Sequence, residues 1–97
     1  MKGLCILGST GSIGVSTLDV VARHPDRYRV VAITANSNTA RALEQALRFT
    51  PDFVVMSGEA EAAVLREHLA AAGQSATRVL SGSKALEEVA ALPEVDA

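Results

Sequence analysis

Three glycines, Gly8, Gly11 and Gly14, interleaved with the hydroxyl residues Ser9, Thr10 and Ser12, are the residues of this chain whose types and spacing suit chemistry. The chemistry they suit is the holding of an anion. Gly8 lets the backbone turn sharply off the end of an apolar run, and Gly11, without a Cβ, lets a diphosphate come close to the chain. Gly14 lets a following helix pack tightly on a sheet. Backbone N–H groups from Thr10 to Ile13 then face the anion, aided by the positive end of the helix dipole. The hydroxyls of Ser9, Thr10 and Ser12 add donors. The pattern is G-x-x-G-x-x-G, one residue longer at its first gap than the commonest dinucleotide-binding form. A strand-to-helix turn that binds nothing can carry such a triplet. The weight comes from context, since the triplet follows an apolar strand and opens a helix.

A second determinant follows the next apolar run. Sites for NAD place Asp or Glu about 20 residues past the glycines, on the ribose 2′-hydroxyl. Here the run Thr34-Ala35-Asn36-Ser37-Asn38-Thr39 holds no carboxylate, which would repel a 2′-phosphate. Asn36, Ser37 and Asn38 offer neutral donors, and Arg41 lies one helical turn further on, with a guanidinium that matches phosphate geometry. The pattern favours NADP. Ser37, Asn38 and Thr39 also suit the cap of the next helix, and the two roles are compatible.

Other polar residues have plainer readings. His24 precedes Pro25 at a helix end, where a cation suits the dipole. His68 lies beside Glu67 with no second ligand at metal spacing. Asp19, Asp26, Glu87 and Glu88 read as solvated or capping, and Glu59 and Glu61 as dipole compensation in a first helical turn. Cys5, the single cysteine, reads as a small buried apolar residue. No acid–base pair or nucleophile stands out.

The elements that must position the glycine turn follow from periodicity. Strands are expected at Gly3–Leu7, Tyr28–Thr34, Phe53–Met56 and Thr77–Leu80. Helices are expected near Ser12–Arg23, Thr39–Phe49, from Glu59 to before Gly73, and Ser83–Ala91. The first helix is expected to turn Ile13, Thr17, Val20, Val21 and His24 inward, the second Leu43, Ala46 and Leu47, the third Ala63, Val64, Leu65 and Leu69. Strands this continuously apolar are covered on both faces. The expected fold is therefore α/β, a Rossmann-like parallel sheet with helices on both faces. Residues 92–97 read as a turn feeding another strand, so the sheet is expected to be cut after its fourth strand–helix unit. One domain, residues 1–97, is expected. A net charge of −2 lacks the basic footprint of nucleic-acid binding. No apolar run reaches the roughly 18 residues of a membrane span. The N-terminal apolar run lacks a small-residue cleavage pattern, which points to a cytoplasmic protein.

The string Leu7-Gly8-Ser9-Thr10-Gly11-Ser12-Ile13-Gly14, continuing Ser16-Thr17-Leu18-Asp19-Val20, closely resembles the start of the 1-deoxy-D-xylulose 5-phosphate reductoisomerase family. Pro25, Arg29-Val30-Val31-Ala32, Ala35, Asn38 and Pro51 extend the likeness over most of the chain. The resemblance implies an enzyme of non-mevalonate isoprenoid biosynthesis. Such an enzyme rearranges 1-deoxy-D-xylulose 5-phosphate and reduces it with NADPH to 2-C-methyl-D-erythritol 4-phosphate, using Mg²⁺ or Mn²⁺, as a homodimer. It places cofactor contacts on Thr10, Gly11, Ser12 and Ile13, then on Asn36, Ser37 and Asn38. It places the metal carboxylates, the ligands of the phosphorylated sugar and the flexible active-site loop beyond Ala97, so these residues alone are expected not to catalyse. One departure is Asn36-Ser37-Asn38, where the family shows Gly-x-Asn, which bears on the backbone path beside the adenosine ribose. Two other readings of the turn are another NADP-dependent reductase, such as a semialdehyde dehydrogenase, and a non-enzymatic nucleotide-sensing module. The Ser-Thr-Leu-Asp continuation argues against the first, the cut sheet against the second.

Overall fold

Short apolar runs rich in Val, Ile and Ala form the strands, and Ala- and Leu-containing stretches between them form the helices. The computed structural model describes residues 2–74 and 76–96. The elements run β1 (Lys2–Ile6), α1 (Ser12–Arg23), β2 (Tyr28–Ala35), α2 (Thr39–Phe49), β3 (Phe53–Met56), α3 (Glu59–Ala71), β4 (Arg78–Ser81) and α4 (Ser83–Ala90). Every strand pair is parallel and the sheet order is β1-β2-β3-β4. Bounds of α1, α2 and β3 coincide with those expected from periodicity, and the remaining strands and α4 differ by a residue at one or both ends.

Helices cover both faces. Leu18 and Val21 of α1, Ala42 and Ala46 of α2, and Leu65 and Leu69 of α3 pack on Ile6, Ile33, Val54 and Met56. On the opposite face Val89 of α4 packs on Ala32 and Val55, with Cys5, Phe53, Leu80 and Leu86 around them. Burial there pushes the Cys5 thiol up from its ordinary pKa, in keeping with an apolar role. Because side chains alternate across a strand, covering both faces requires the uninterrupted apolar runs seen in the sequence. The alternation breaks once. Leu4 pairs with Val30 but Cys5 pairs with Ala32, so Val31 is an extra residue in β2. This bulge flips the parity, putting Val30 and Ile33 on one face and Ala32 on the other.

The inward faces of three helices differ from those expected. Gly14, Leu18 and Val21 face inward on α1, while Ile13 is 82% and Val20 48% exposed. On α2 the buried residues are Ala42, Gln45 and Ala46, with Leu43 at the flank and Leu47 outside. On α3 they are Ala62, Leu65 and Leu69, with Ala63 and Val64 turned outward. The cause is common to all three. Small residues at Gly14, Ala42, Ala46 and Ala62 bring each helix axis close to the sheet, and the inward stripe centres on them rather than on bulkier neighbours.

Past α4 the chain turns as expected, with the Val95 N–H donating to the Leu92 carbonyl at 3.0 Å. Residues 92–96 form no fifth strand. Instead the Asp96 N–H donates to the Gly3 carbonyl at 2.7 Å, and its carboxylate accepts the Gly3 N–H at 2.9 Å.

The corrected stripe on α3 has a direct check. Leu65 is fully buried, so Leu65→Ala is expected to cost about 2–5 kcal/mol in urea unfolding. Val64→Ala, outside the stripe, is expected to stay within about 0.5 kcal/mol of the parent.

Candidate functional site

The glycine turn is fastened from beneath. Gly8 adopts φ +63°, a left-handed conformation that L side chains rarely take. Its carbonyl accepts the Gly11 N–H at 2.9 Å, closing a turn over residues 8–11. The end of β2 holds the other side, where Thr34 Oγ1 accepts the Gly8 N–H at 2.9 Å. The Thr34 carbonyl accepts the Ser9 N–H at 2.8 Å. From α2, Gln45 Nε2 donates to the Ser9 carbonyl at 2.7 Å.

The two helix-side glycines divide sharply. A Cβ on Gly14 would fall on the Gly8 carbonyl oxygen and 2.6 Å from Ser9 Cα, so Gly14 is demanded by the close approach of α1 to the turn. Gly11 has φ −78° and ψ 168°, open to any residue. A Cβ there would meet only the Gly8 carbonyl, at 3.3 Å. Neither a positive φ nor an overlap demands glycine at position 11, and a Cβ there needs the Gly8 carbonyl to give by only a few tenths of an ångström. The space beside it remains free for a ligand.

Which donors face that space differs from expectation in two respects. The Gly11 N–H is spent inside the turn, so the run of amides is not continuous. The N–H groups of Thr10, Ser12, Ile13 and Gly14 have no acceptor among the described residues. Ser9 is completely buried and does not line the cleft described below, and its Oγ has no partner among the described residues. At the start of α1, Gly11 caps without a side-chain bond and no acidic residue stands in the first turn. The positive end of the helix is thus left uncompensated.

A cleft of ≈ 560 Å³ runs along the carboxyl ends of the strands. Thr10 and Gly11 line it from the turn, Thr34 to Asn36 from β2, Ser57 past β3, and Gly82, Ser83 and Leu86 from α4. Of the residues expected to touch a cofactor, Thr10, Gly11 and Asn36 are therefore brought together. Ser12 and Ile13 lie on the exposed first turn of α1, along a shallow groove with Ser16 and Thr17. Ser37 and Asn38 are exposed beyond the cleft. The capping role expected there falls to Asn38, whose Oδ1 accepts the Arg41 N–H at 3.1 Å. The Arg41 side chain borders a groove between α1 and α2, outside the cleft.

Thr34, Gln45 and Ser57 were not singled out by sequence reasoning. Ser57 holds the loop after β2, since its hydroxyl donates to the Asn36 carbonyl at 2.9 Å. The available signals were a hydroxyl ending an apolar strand and an amide between two inward alanines. Among the described residues no three His, Cys, Asp or Glu side chains gather in a way that would hold a metal ion. Nor is any helix among them long and apolar enough to cross a membrane.

Residues 4–97 match a family model described as 1-deoxy-D-xylulose 5-phosphate reductoisomerase. The chain is 60% identical over 96 residues to the enzyme of that name from Methylococcus capsulatus, covering 99% of this chain and 24% of the relative. It is 58% identical over 96 residues to that of Nitrosospira multiformis, with 99% and 24% covered. A crystal structure of DOX-P reductoisomerase in complex with NADPH, fosmidomycin and magnesium superposes with a TM-score of 0.92 at 40% identity, over 99% of this chain and 23% of that one. The Zymomonas mobilis enzyme in complex with NADPH superposes with a TM-score of 0.86 at 36% identity, over 96% and 24%. The chain spans about a quarter of the length of the curated relatives it matches.

The division between the glycines predicts different outcomes in urea unfolding. Gly14→Ala is expected to destabilise by about 1–3 kcal/mol through overpacking against the turn. Gly11→Ser, which supplies a good capping hydroxyl at a permissive backbone, is expected to lie within a few tenths of a kcal/mol of the parent.

Proposed function

We propose, since the chain belongs to the 1-deoxy-D-xylulose 5-phosphate reductoisomerase family, that residues 1–97 are the NADPH-binding domain of such an enzyme. The observation that carries this reading is Gly11, a glycine that neither a positive φ nor an overlap demands. It stands at an uncapped helix start where the Thr10, Ser12 and Ile13 amides have no acceptor among the described residues. A doubly charged diphosphate satisfies those donors and the helix dipole together. When bound, NADPH supplies a hydride. The part of this chain is to hold the diphosphate on Thr10, Gly11, Ser12 and Ile13, and the adenosine ribose and its 2′-phosphate on Asn36, Ser37 and Asn38.

In this reading the whole protein is a cytoplasmic homodimer that rearranges and reduces 1-deoxy-D-xylulose 5-phosphate, and it binds neither nucleic acid nor membrane. The NADPH and magnesium named for the 40%-identical structure support the cofactor and a divalent cation, Mg²⁺ or Mn²⁺. The residues described here do not fit a metal centre. We assign the metal and substrate ligands to the remaining length that the relatives have. The family match does not favour a semialdehyde dehydrogenase or a stand-alone sensing module.

Two measurements test the cofactor site. Gly11→Val places methyl groups where the diphosphate lies and is expected to weaken NADPH by roughly 100-fold or more, about 2.7 kcal/mol, with the fold retained. Unchanged affinity by calorimetry overturns the assignment. NADPH is expected to bind more tightly than NADH, and Arg41→Ala to weaken NADPH about tenfold while leaving NADH unaffected, as loss of one charge-assisted contact implies. Equal affinity for the two coenzymes in the parent protein refutes the preference for NADP.

A further inference from the structure

Gln45 occupies a place where an apolar residue would be expected. It lies on the inward face of α2 between Ala42 and Ala46 and is 7% exposed. Only half of its amide is used. Nε2 donates to the Ser9 carbonyl at 2.7 Å, while Oε1 has no partner among the described residues. A buried amide with one end unsatisfied costs stability that a leucine of similar size would not. Leucine would in turn leave the buried Ser9 carbonyl without its donor, so what glutamine supplies here is that one hydrogen bond.

Peptide geometry gives that bond a consequence. The Ser9 carbonyl and the Thr10 N–H belong to one planar trans unit, in which C=O and N–H point in opposite directions. Drawing the carbonyl down onto Gln45, into the core, turns the Thr10 N–H up toward the cleft that Thr10 lines. Donation to the carbonyl also polarises the peptide and strengthens that N–H as a donor. The helix carrying Gln45 begins at Asn38, so α2 braces the turn and carries the adenosine end of the proposed site together.

We propose that Gln45 is a positioning residue for the diphosphate turn, fixing the Ser9–Thr10 peptide so that the Thr10 N–H faces an incoming anion. The proposal rests on the reading that this turn holds the diphosphate of NADPH.

The test is calorimetric titration with NADPH and NADH of the natural protein that carries this chain, beside its Gln45→Leu and Gln45→Glu variants. Gln45→Leu is expected to weaken both coenzymes by a similar factor, about tenfold for one lost hydrogen bond. Its thermal midpoint is expected to fall, because the buried Ser9 carbonyl loses its donor, so the pH-dependent recovery of affinity in Gln45→Glu is the readout that a residue serving only packing would not produce. Gln45→Glu restores a donor only when its carboxyl is protonated. The ratio of its NADPH Kd to that of the parent is expected to fall as pH is lowered from about 8 to 6, since burial raises a carboxyl pKa. Asp19, Arg41, Glu44 and Arg48 border the same groove and are present in both proteins, so the comparison is made as a ratio to the parent at each pH. NADPH affinity of Gln45→Leu within twofold of the parent overturns the proposal. Should that variant fail to fold, a pH-independent ratio for Gln45→Glu overturns it alone. A parent protein that binds no NADPH overturns the proposed function itself, and this inference with it.

Discussion

The structure turns on how closely α1 approaches the end of β1. At Gly14 the helix backbone lies against the Gly8 carbonyl and Ser9 Cα with no room for a single methyl group. That contact sets the rotation of α1, so that Leu18 and Val21, four and seven residues on, follow it into the core. It also sets the height of the turn, leaving the first amides of α1 standing clear at the carboxyl edge of the sheet. Core packing and the exposure of donors are thus consequences of one steric fact.

Much of the architecture is legible in the residues. Strands covered on both faces must be apolar without alternation, and Val30 to Ile33 and Val54 to Met56 display that, so the α/β class and element order follow. The inward faces of the helices were less legible. Periodicity weights residues by size, and it draws Ile13, Val20 and Leu47 inward, whereas the close contacts are made by glycine and alanine. Only the distance between helix and sheet decides between the two, and that distance is a tertiary quantity.

The site shows the same split. The triplet of glycines is visible in one dimension, but the three are not equivalent. Gly8 serves a positive φ and Gly14 a close approach, both internal needs, while Gly11 serves neither. The supports were hidden because they come from elsewhere in the chain. Thr34 reaches back 26 residues to Gly8, and Gln45 reaches 36 to Ser9. No spacing rule links such pairs. What marks them is a polar residue where burial would prefer an apolar one, a signal that acquires meaning only once burial is known.

The treatment of the helix starts carries the reading further. α2 begins with a capping side chain from Asn38, and α3 with Glu59 and Glu61 in its first turn, so both positive ends are compensated within the chain. α1 and α4 begin at Gly11 and Gly82, with no side-chain cap and no acid in the first turn. Both glycines line the one cleft at the carboxyl edge. The sheet order explains how two helices from opposite faces meet there. Strands stepping in one direction keep α1, α2 and α3 on one face, and α4 packs on the other. Their starts flank the strand ends from either side, which is where open α/β sheets bind their ligands. Compensated helix ends elsewhere and bare ones at the cleft concentrate positive potential in a chain whose net charge is −2. A ligand with negative charge is favoured there by backbone alone, independent of any basic side chain.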